Sequence, residues 1–377
     1  MRYVIRRESF GYLVYDQFAQ ELTIKTKIND FSEARVINNF SFEKLSAPLT
    51  VFLELTTLCN LRCKHCFHND RISHNSMLFE QAKAIIDQLY ERGIVNIKIS
   101  GGEPFLNPDF LKILTYLDEK KINYIVYTNG LFIDENVLHL KKLKFLSYIR
   151  VSMDGPSEIN DSIRGEGTFY RTILGIKRLE KEDIPCQINF TITNSNYVSI
   201  EDFCLQLKEE HKIKSKIHVG FVKISGLAKE NLQHCFTDPD VFEKQILEIK
   251  DSINNCDNID EFKLLPSIYF KLYGNRFGCP AGRTTLTIKS NGDVFPCGLF
   301  SGNEEFNCGN ILQQSLINIW NSKKMKDFRN IPIATQCKNC DLLFRTCTGG
   351  CRANAYHMLG HLYAADINCM IYRYFGL

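Results

Sequence analysis

The sequence lacks any run near the roughly 18 consecutive apolar residues of a transmembrane helix. Its first residues, MRYVIRRESF, are polar and charged, with no following apolar stretch of the secretory kind. Charge of one sign is also missing. Lys and Arg number 46 against 43 Asp and Glu, leaving a formal +3 with no basic block, which excludes a general nucleic-acid binder. There is no low-complexity tract and no internal repeat of roughly 20–50 residues. These absences leave a globular protein, expected in the cytoplasm, with neither nucleic acid nor membrane among its partners. At 377 residues, 44% of them hydrophobic, the chain is long enough to bury a full core over two or three domains.

Cysteine is what the sequence has in quantity. An odd count of 15 in such a chain does not read as disulfides. Core packing, catalysis and metal binding remain, and the distribution along the chain decides among them.

Residues 1–48 hold two strand-like runs, Ser9–Tyr15 and Glu21–Ile28, before Pro48 punctuates the chain. From 51 to about 223, strand and helix signals alternate. The strands expected are Val51–Thr57, Asn96–Gly101, Tyr124–Thr128, Tyr148–Met153, Gln187–Thr193 and Ile217–Val222. Most are continuous apolar runs, as strands buried on both faces require. Helices are expected over Phe79–Arg92, Pro108–Lys120, Asp134–Lys142, Tyr170–Lys181, Ile200–His211 and Asp240–Ile253. Six βα units imply an α/β fold with a parallel sheet, either open or a partial barrel. Beyond residue 255 only one short helix is expected, Leu316–Phe328, and residues 279–377 hold eight of the cysteines.

Cys59, Cys63 and Cys66 form a C-x3-C-x2-C run directly after the first strand. Strand C-terminal ends are where α/β proteins place ligands and metals. Three thiolates can each take one iron of a [4Fe–4S] cubane and leave the fourth iron open; a zinc site completed by His65 or His68 is the alternative. Cys279, Cys297, Cys337, Cys340, Cys347, Cys351 and Cys369 make a second constellation, with Gly349 and Gly350 just before Cys351. Seven cysteines exceed one tetrahedral site and suit two clusters or two zinc ions. Cys186 and Cys204 read as small buried hydrophobes, Cys235 and Cys256 are ambiguous, and Cys308 reads as either a ligand or a core residue.

The Cys59/Cys63/Cys66 run, followed by Ser100-Gly101-Gly102-Glu103-Pro104 at the end of the next strand, resembles the radical S-adenosylmethionine superfamily. Residues 279–369 resemble that superfamily's SPASM extension, so the resemblance covers about 50–377. It implies a partial (β/α)6 TIM-like barrel with a cysteine-rich C-terminal extension and a short N-terminal β-hairpin segment. The implied divisions are 1–48, 49–255 and 256–377. The implied cofactors are S-adenosylmethionine, a catalytic [4Fe–4S] cluster on Cys59, Cys63 and Cys66, and two auxiliary iron–sulfur clusters. Cys279, Cys297 and Cys351 would hold the nearer auxiliary cluster; Cys337, Cys340, Cys347 and Cys369 would hold the outer one. Gly101, Gly102 and Glu103 would meet the methionine ammonium of S-adenosylmethionine. Asn129 lies at the cofactor face, Ser152 and Asp154 resemble ribose contacts, and Arg164 and Asn189 match further cofactor-facing positions.

The resemblance further implies reductive cleavage to a 5′-deoxyadenosyl radical that abstracts a substrate hydrogen. The substrate expected is a ribosomally made precursor peptide, crosslinked, epimerised or otherwise oxidised. Haem-precursor tailoring is the first alternative, and a zinc-stapled binding protein is the alternative from another class. Sulfatase maturation is disfavoured because Gly298 stands where those relatives carry an acid. The implied partners are a flavodoxin or ferredoxin electron donor and, beside the peptide, a separate leader-binding protein. Residues 1–28, with Phe10-Gly11-Tyr12-Leu13-Val14-Tyr15-Asp16, read as a hairpin that either recognises a leader peptide by strand addition or caps the barrel bottom.

Overall fold

The computed structural model describes residues 1–28, 32–38, 45–68, 74–260, 279–341, 343, 347 and 349–369. The six expected central strands are present as β5 (Thr50–Glu54), β6 (Asn96–Ser100), β7 (Tyr124–Thr128), β8 (Leu146–Ser152), β9 (Cys186–Ile192) and β10 (Lys216–Phe221). They pair in parallel in sequence order, as a partial barrel does. Helices α1 (Phe79–Glu91), α2 (Phe110–Glu119), α3 (Ile133–Leu140), α4 (Ser157–Arg164), α5 (Thr168–Lys181) and α6 (Ile200–Leu205) follow the strands. Each longer helix buries one stripe. On α1 that stripe is Ala82, Ile85, Ile86 and Leu89, spaced for one face and packed in one core with Ile97 and Ile99. Later come α7 (Leu227–Glu230) and α8 (Pro239–Asn254), the latter capped by the Asp238 carboxylate and begun by Pro239.

Two features depart from the sequence reading. The N-terminal segment is a four-stranded sheet, not a two-stranded hairpin: β1 (Tyr3–Glu8), β2 (Gly11–Asp16), β3 (Glu21–Lys25) and β4 (Ala34–Asn38), in the order β3-β2-β1-β4. The extension also enters the barrel sheet. Its β11 (Thr285–Ile288) pairs in parallel with β5, and β12 (Val294–Phe295) pairs antiparallel with β11. Both were missed because strands this short carry little periodic signal. The expected Leu316–Phe328 helix is two, Leu316–Trp320 and Lys323–Arg329, broken where Ser322 caps the second.

The N-terminal sheet docks at the end of the barrel where the strands begin. Buried Arg6 pairs with Glu8 at 2.5 Å and donates to the carbonyls of Pro48 and Ala47, both at 2.9 Å. Gln17 donates to the Lys121 carbonyl just before β7, and the Arg35 guanidinium lies 3.7 Å over the Tyr90 ring. The strand C-termini, with the cysteine loop, are at the other end. There the Ser225 hydroxyl donates to the Leu299 carbonyl at 3.1 Å and Asn354 Oδ1 accepts from the Ile224 N–H at 3.1 Å, fastening the extension to the barrel mouth. No helix among the described residues is long and apolar enough to cross a membrane.

Candidate functional site

The loop after β5 carries Cys59, Cys63 and Cys66. A Leu61 N–H points at Cys59 Sγ (3.4 Å), and the Lys64 N–H donates to the Ile163 carbonyl on α4 (3.0 Å). The next strand end, Gly101-Gly102-Glu103, lies against this loop: the Gly102 N–H reaches the Thr56 carbonyl and the Glu103 N–H the Leu58 carbonyl, both at 2.7 Å. A Cβ on Gly102 would collide with the Leu58 carbonyl, and Gly101 sits at φ +146°, so the approach requires glycine. The two loops form one wall of a cavity of about 310 Å³. Cys59, Cys63, Cys66, Gly101, Gly102, Glu103, Asn129, Ser152, Arg164 and Asn189 all line it. Its floor includes Phe52 and Tyr127, with ring centroids 6.4 Å apart.

Asp154, expected as a ribose contact, is the exception. It does not line the cavity and is wholly buried. Its Oδ2 lies 2.5 Å from Arg164 Nε and 3.3 Å from His65 Nε2, while Oδ1 accepts from the Thr191 N–H at 2.9 Å. A carboxylate this deep needs a cation, and it uses Arg164. Arg164 in turn reaches Cys63 Sγ at 3.9 Å. Asp154 is therefore a positioning residue for Arg164. Helix α4, which presents Arg164 and went unread in the sequence, makes this possible.

Glu103 is 1% exposed yet faces the cavity. Its oxygens accept from the Thr128 hydroxyl and the Asn129 N–H, both at 2.8 Å, and from the Phe105 N–H at 3.3 Å. Burial pushes its carboxyl up to about 7, against those hydrogen bonds. An ammonium placed beside it would restore the charged form. Burial likewise pushes the Cys63 thiol up to about 11, with the Arg164 guanidinium opposing. A metal at these sulfurs would take the thiolate outright.

Neighbouring thiols of the extension stand in two sets. The Cys297 thiol is raised by burial and by the Cys279 and Cys351 sulfurs. The Cys369 thiol, raised by burial and by Asp366, is raised further by Cys347, Cys337 and Cys340. The first set packs against an apolar cluster of Phe295, Phe300, Phe306 and Phe328. Cys308 belongs to neither set. It is buried in the main core, its thiol donates to the Phe306 carbonyl at 3.4 Å, and its charged neighbours are Lys324 and Arg329. None of the fifteen cysteines is in a disulfide. Among the described residues no three His, Cys, Asp or Glu side chains stand as a single metal ion would need them; a cubane takes one thiolate per iron and asks for a wider set. The residues present fit iron–sulfur clusters.

Two further candidate residues escaped the sequence reading. Lys223, just past β10, lines the cavity, and its ammonium pulls the Cys297 and Cys351 thiols down. A charged residue at a barrel strand's C-terminal end was the available signal. Asp366 lies between the two thiol sets, 3% exposed. It accepts from the Cys351 N–H at 2.7 Å, the Asn354 amide at 3.1 Å and the Asn368 N–H at 3.0 Å. Gly350, at φ +73°, leaves it the space a Cβ would fill.

Comparison with known proteins agrees with this geometry. The Radical SAM superfamily model matches residues 53–207, and the SPASM iron–sulfur cluster-binding domain model matches 279–341. The antilisterial bacteriocin subtilosin biosynthesis protein AlbA of Bacillus subtilis is 30% identical over 324 residues, 82% of this chain and 69% of AlbA. The AdoMet-dependent heme synthase of Methanosarcina barkeri is 28% identical over 351 residues, 87% of this chain and 97% of that protein. The fold matches Streptococcus suis SuiB, solved with its precursor peptide SuiA, at a TM-score of 0.74 and 20% identity over 97% of each chain. The chain belongs to the radical SAM superfamily and carries its SPASM extension, an enzyme with S-adenosylmethionine and a [4Fe–4S] cluster in the barrel and auxiliary iron–sulfur clusters beyond it.

Proposed function

We propose that the chain is a peptide maturase that binds a precursor peptide by its leader and oxidises or crosslinks a residue held in the cavity. The observation that carries this reading is the β3 edge. Among the described residues β3 has one hydrogen-bonded neighbour, β2, and its residues Glu21, Thr23 and Lys25 are exposed. Such an edge accepts an extended peptide through its main chain. The docked sheet caps the barrel and, among the described residues, leaves this edge unpaired, so capping does not preclude leader recognition.

The docked sheet and the cavity lie at opposite ends of the barrel strands, so a peptide reaching from one to the other must cover at least a strand's length, roughly 17–20 Å. At about 3.3 Å per residue, at least about six residues must separate the recognised segment from the modified one. In the cavity, the bound cluster and S-adenosylmethionine supply one-electron cleavage and hydrogen abstraction. Gly101 and Gly102 let the cofactor approach the backbone, and Glu103 receives its ammonium. Arg164, steadied by Asp154, offsets thiolate charge at Cys63. Ser152, Asn129 and Asn189 supply hydrogen bonds at the cavity wall. Lys223 offers an ammonium to an anionic group of the substrate beside the three-thiol site.

The division 1–48, 49–255 and 256–377 follows these roles. The fifteen free thiols favour the cytoplasm. Haem-precursor tailoring remains the second reading, favoured by the heme synthase likeness and by Lys223, which suits a carboxylate equally well. One anaerobic assay separates them. The reconstituted enzyme, with S-adenosylmethionine and dithionite, receives short peptides encoded beside its gene. We expect 5′-deoxyadenosine with a matching loss of hydrogen from one peptide. Unchanged peptides together with decarboxylation of an iron porphyrin would overturn the peptide reading.

A further inference from the structure

Reductive cleavage needs one electron per event, so the barrel cluster must be reached by a donor. Helices α3 and α5 pack side by side and leave a surface groove of about 430 Å³. The α5 wall presents Arg171, Leu174, Lys177, Arg178 and Lys181; across from it lie Leu131 and Asp134. The one carboxylate, Asp134, is engaged by Arg178 at 3.2 Å. Arg171, Lys177 and Lys181 have no ion-pair partner among the described residues. Leu174 is 67% exposed in their midst, so the surface is apolar at its centre and cationic around it.

This pattern works against the helix that carries it. Arg178 and Lys181 lie in the last turn, where the macrodipole favours cations. Arg171 lies near the opposite end, where the helix's own first turn carries no acid and Asp161 caps it from α4. Lys177 and Lys181 form a like-charged i,i+4 pair, which is unfavourable. Helix stability does not account for these charges, and an acidic partner does.

The groove is linked to the cluster loop through the Asn129 turn. Gly130 and Leu131 line it, while their neighbour Asn129 lines the cavity. The Leu131 N–H donates to Asn129 Oδ1 at 3.0 Å, and the Asn129 amide donates to Asn60 Oδ1 at 2.8 Å, one residue from Cys59. Gly175 lets α5 lie flush on this turn, since a Cβ there would meet the Gly130 carbonyl at 2.5 Å.

We propose that the α3/α5 groove docks an acidic one-electron-transfer protein that reduces the barrel cluster through the Leu131–Asn129–Asn60–Cys59 segment. The inference rests on the reductive chemistry of the proposed function, not on its peptide substrate. One electron leaves the donor's reduced flavin or iron–sulfur centre and enters the cluster held by Cys59, Cys63 and Cys66. No atom is transferred at that step.

The test compares the anaerobically reconstituted holoenzyme with its R171E/K177E/K181E variant, following bleaching of cluster absorbance in stopped flow. The reductants are flavodoxin hydroquinone and, separately, dithionite. We expect the flavodoxin-driven rate to fall roughly tenfold or more at low salt. The wild-type rate should fall with added salt toward that of the variant. Dithionite reduction and dithionite-driven 5′-deoxyadenosine formation should stay unchanged. An unchanged flavodoxin rate, or equal slowing by both reductants, overturns the proposal. So does slower dithionite-driven peptide turnover with normal flavodoxin reduction, which would give the groove to the substrate. If the triple variant fails to take up iron, R171Q/K177Q/K181Q provides the same comparison. A slowed flavodoxin rate with no peptide modified would leave the groove assigned and the peptide reading refuted.

Discussion

The barrel and the extension hold cysteines for the same kind of cofactor by different means. In the barrel, three cysteines within eight residues sit on a loop fixed from outside by β6, the Asn129 turn and α4. The strands beneath bury one face against the helices, so the loop inherits its position from a continuous core. In the extension, ligands come from stretches spread over residues 279–369, and regular elements near the outer set are scarce. The inner thiols still have a phenylalanine cluster behind them. The outer ones stand on short turns, with Cys369 exposed. The barrel loop therefore rests on packing, the inner thiols partly so, and the outer thiols least of the three.

The largest expected effect divides the regions outright. Replacing Cys59, Cys63 and Cys66 with Ala should abolish 5′-deoxyadenosine formation and lower iron from about twelve to about eight per chain. The thermal midpoint should hardly move. A variant that unfolds, or that still cleaves S-adenosylmethionine, would break the comparison.

Asp366→Ala should separate the extension from the barrel. Three donors lose a buried acceptor, and about 3 kcal/mol is a reasonable scale for that loss. Hydrogen exchange should accelerate around Cys337–Cys369 and leave β5–β10 protected; uniform acceleration would mean that the extension is not a separate stability unit.

Glu103→Gln sharpens the barrel side through pH. Because burial raises the Glu103 carboxyl to about 7, protonated Glu103 is favoured in the fold. Its stabilising contribution is full below the unfolded pKa near 4.5 and is lost as pH rises through about 7. Chemical denaturation without S-adenosylmethionine should show wild-type stability falling by about 3 kcal/mol across that window. The Gln variant should show a flatter profile, and parallel profiles would contradict the assignment.

Cys308→Ala is the smallest effect and the finest discriminator. As a core residue it should lose about 1 kcal/mol in denaturation and no iron. Loss of iron from the inner auxiliary site would make Cys308 a ligand after all.

Much of this was legible in the sequence because the barrel's signals are periodic and local. Continuous apolar runs marked β5–β10 to within a few residues, and the Cys59–Cys66 spacing and Gly101–Glu103 turn lay at their ends. The misses were tertiary in origin. Asp154 lies just past a strand end, and only the placement of α4 shows that it pairs with Arg164. β4 pairs with β1 across thirty residues, so no local turn announces it. The division of the extension's cysteines came from resemblance. Their environments, the core position of Cys308 and the buried carboxylate of Asp366 could be read only from the folded chain.

The most direct test of the account is anaerobic reconstitution of the full chain, with iron and sulfide counted and S-adenosylmethionine cleavage followed under dithionite. The account predicts about twelve irons with matching sulfide, in three cubanes, and formation of 5′-deoxyadenosine. Two zinc ions with little sulfide and no 5′-deoxyadenosine would contradict it.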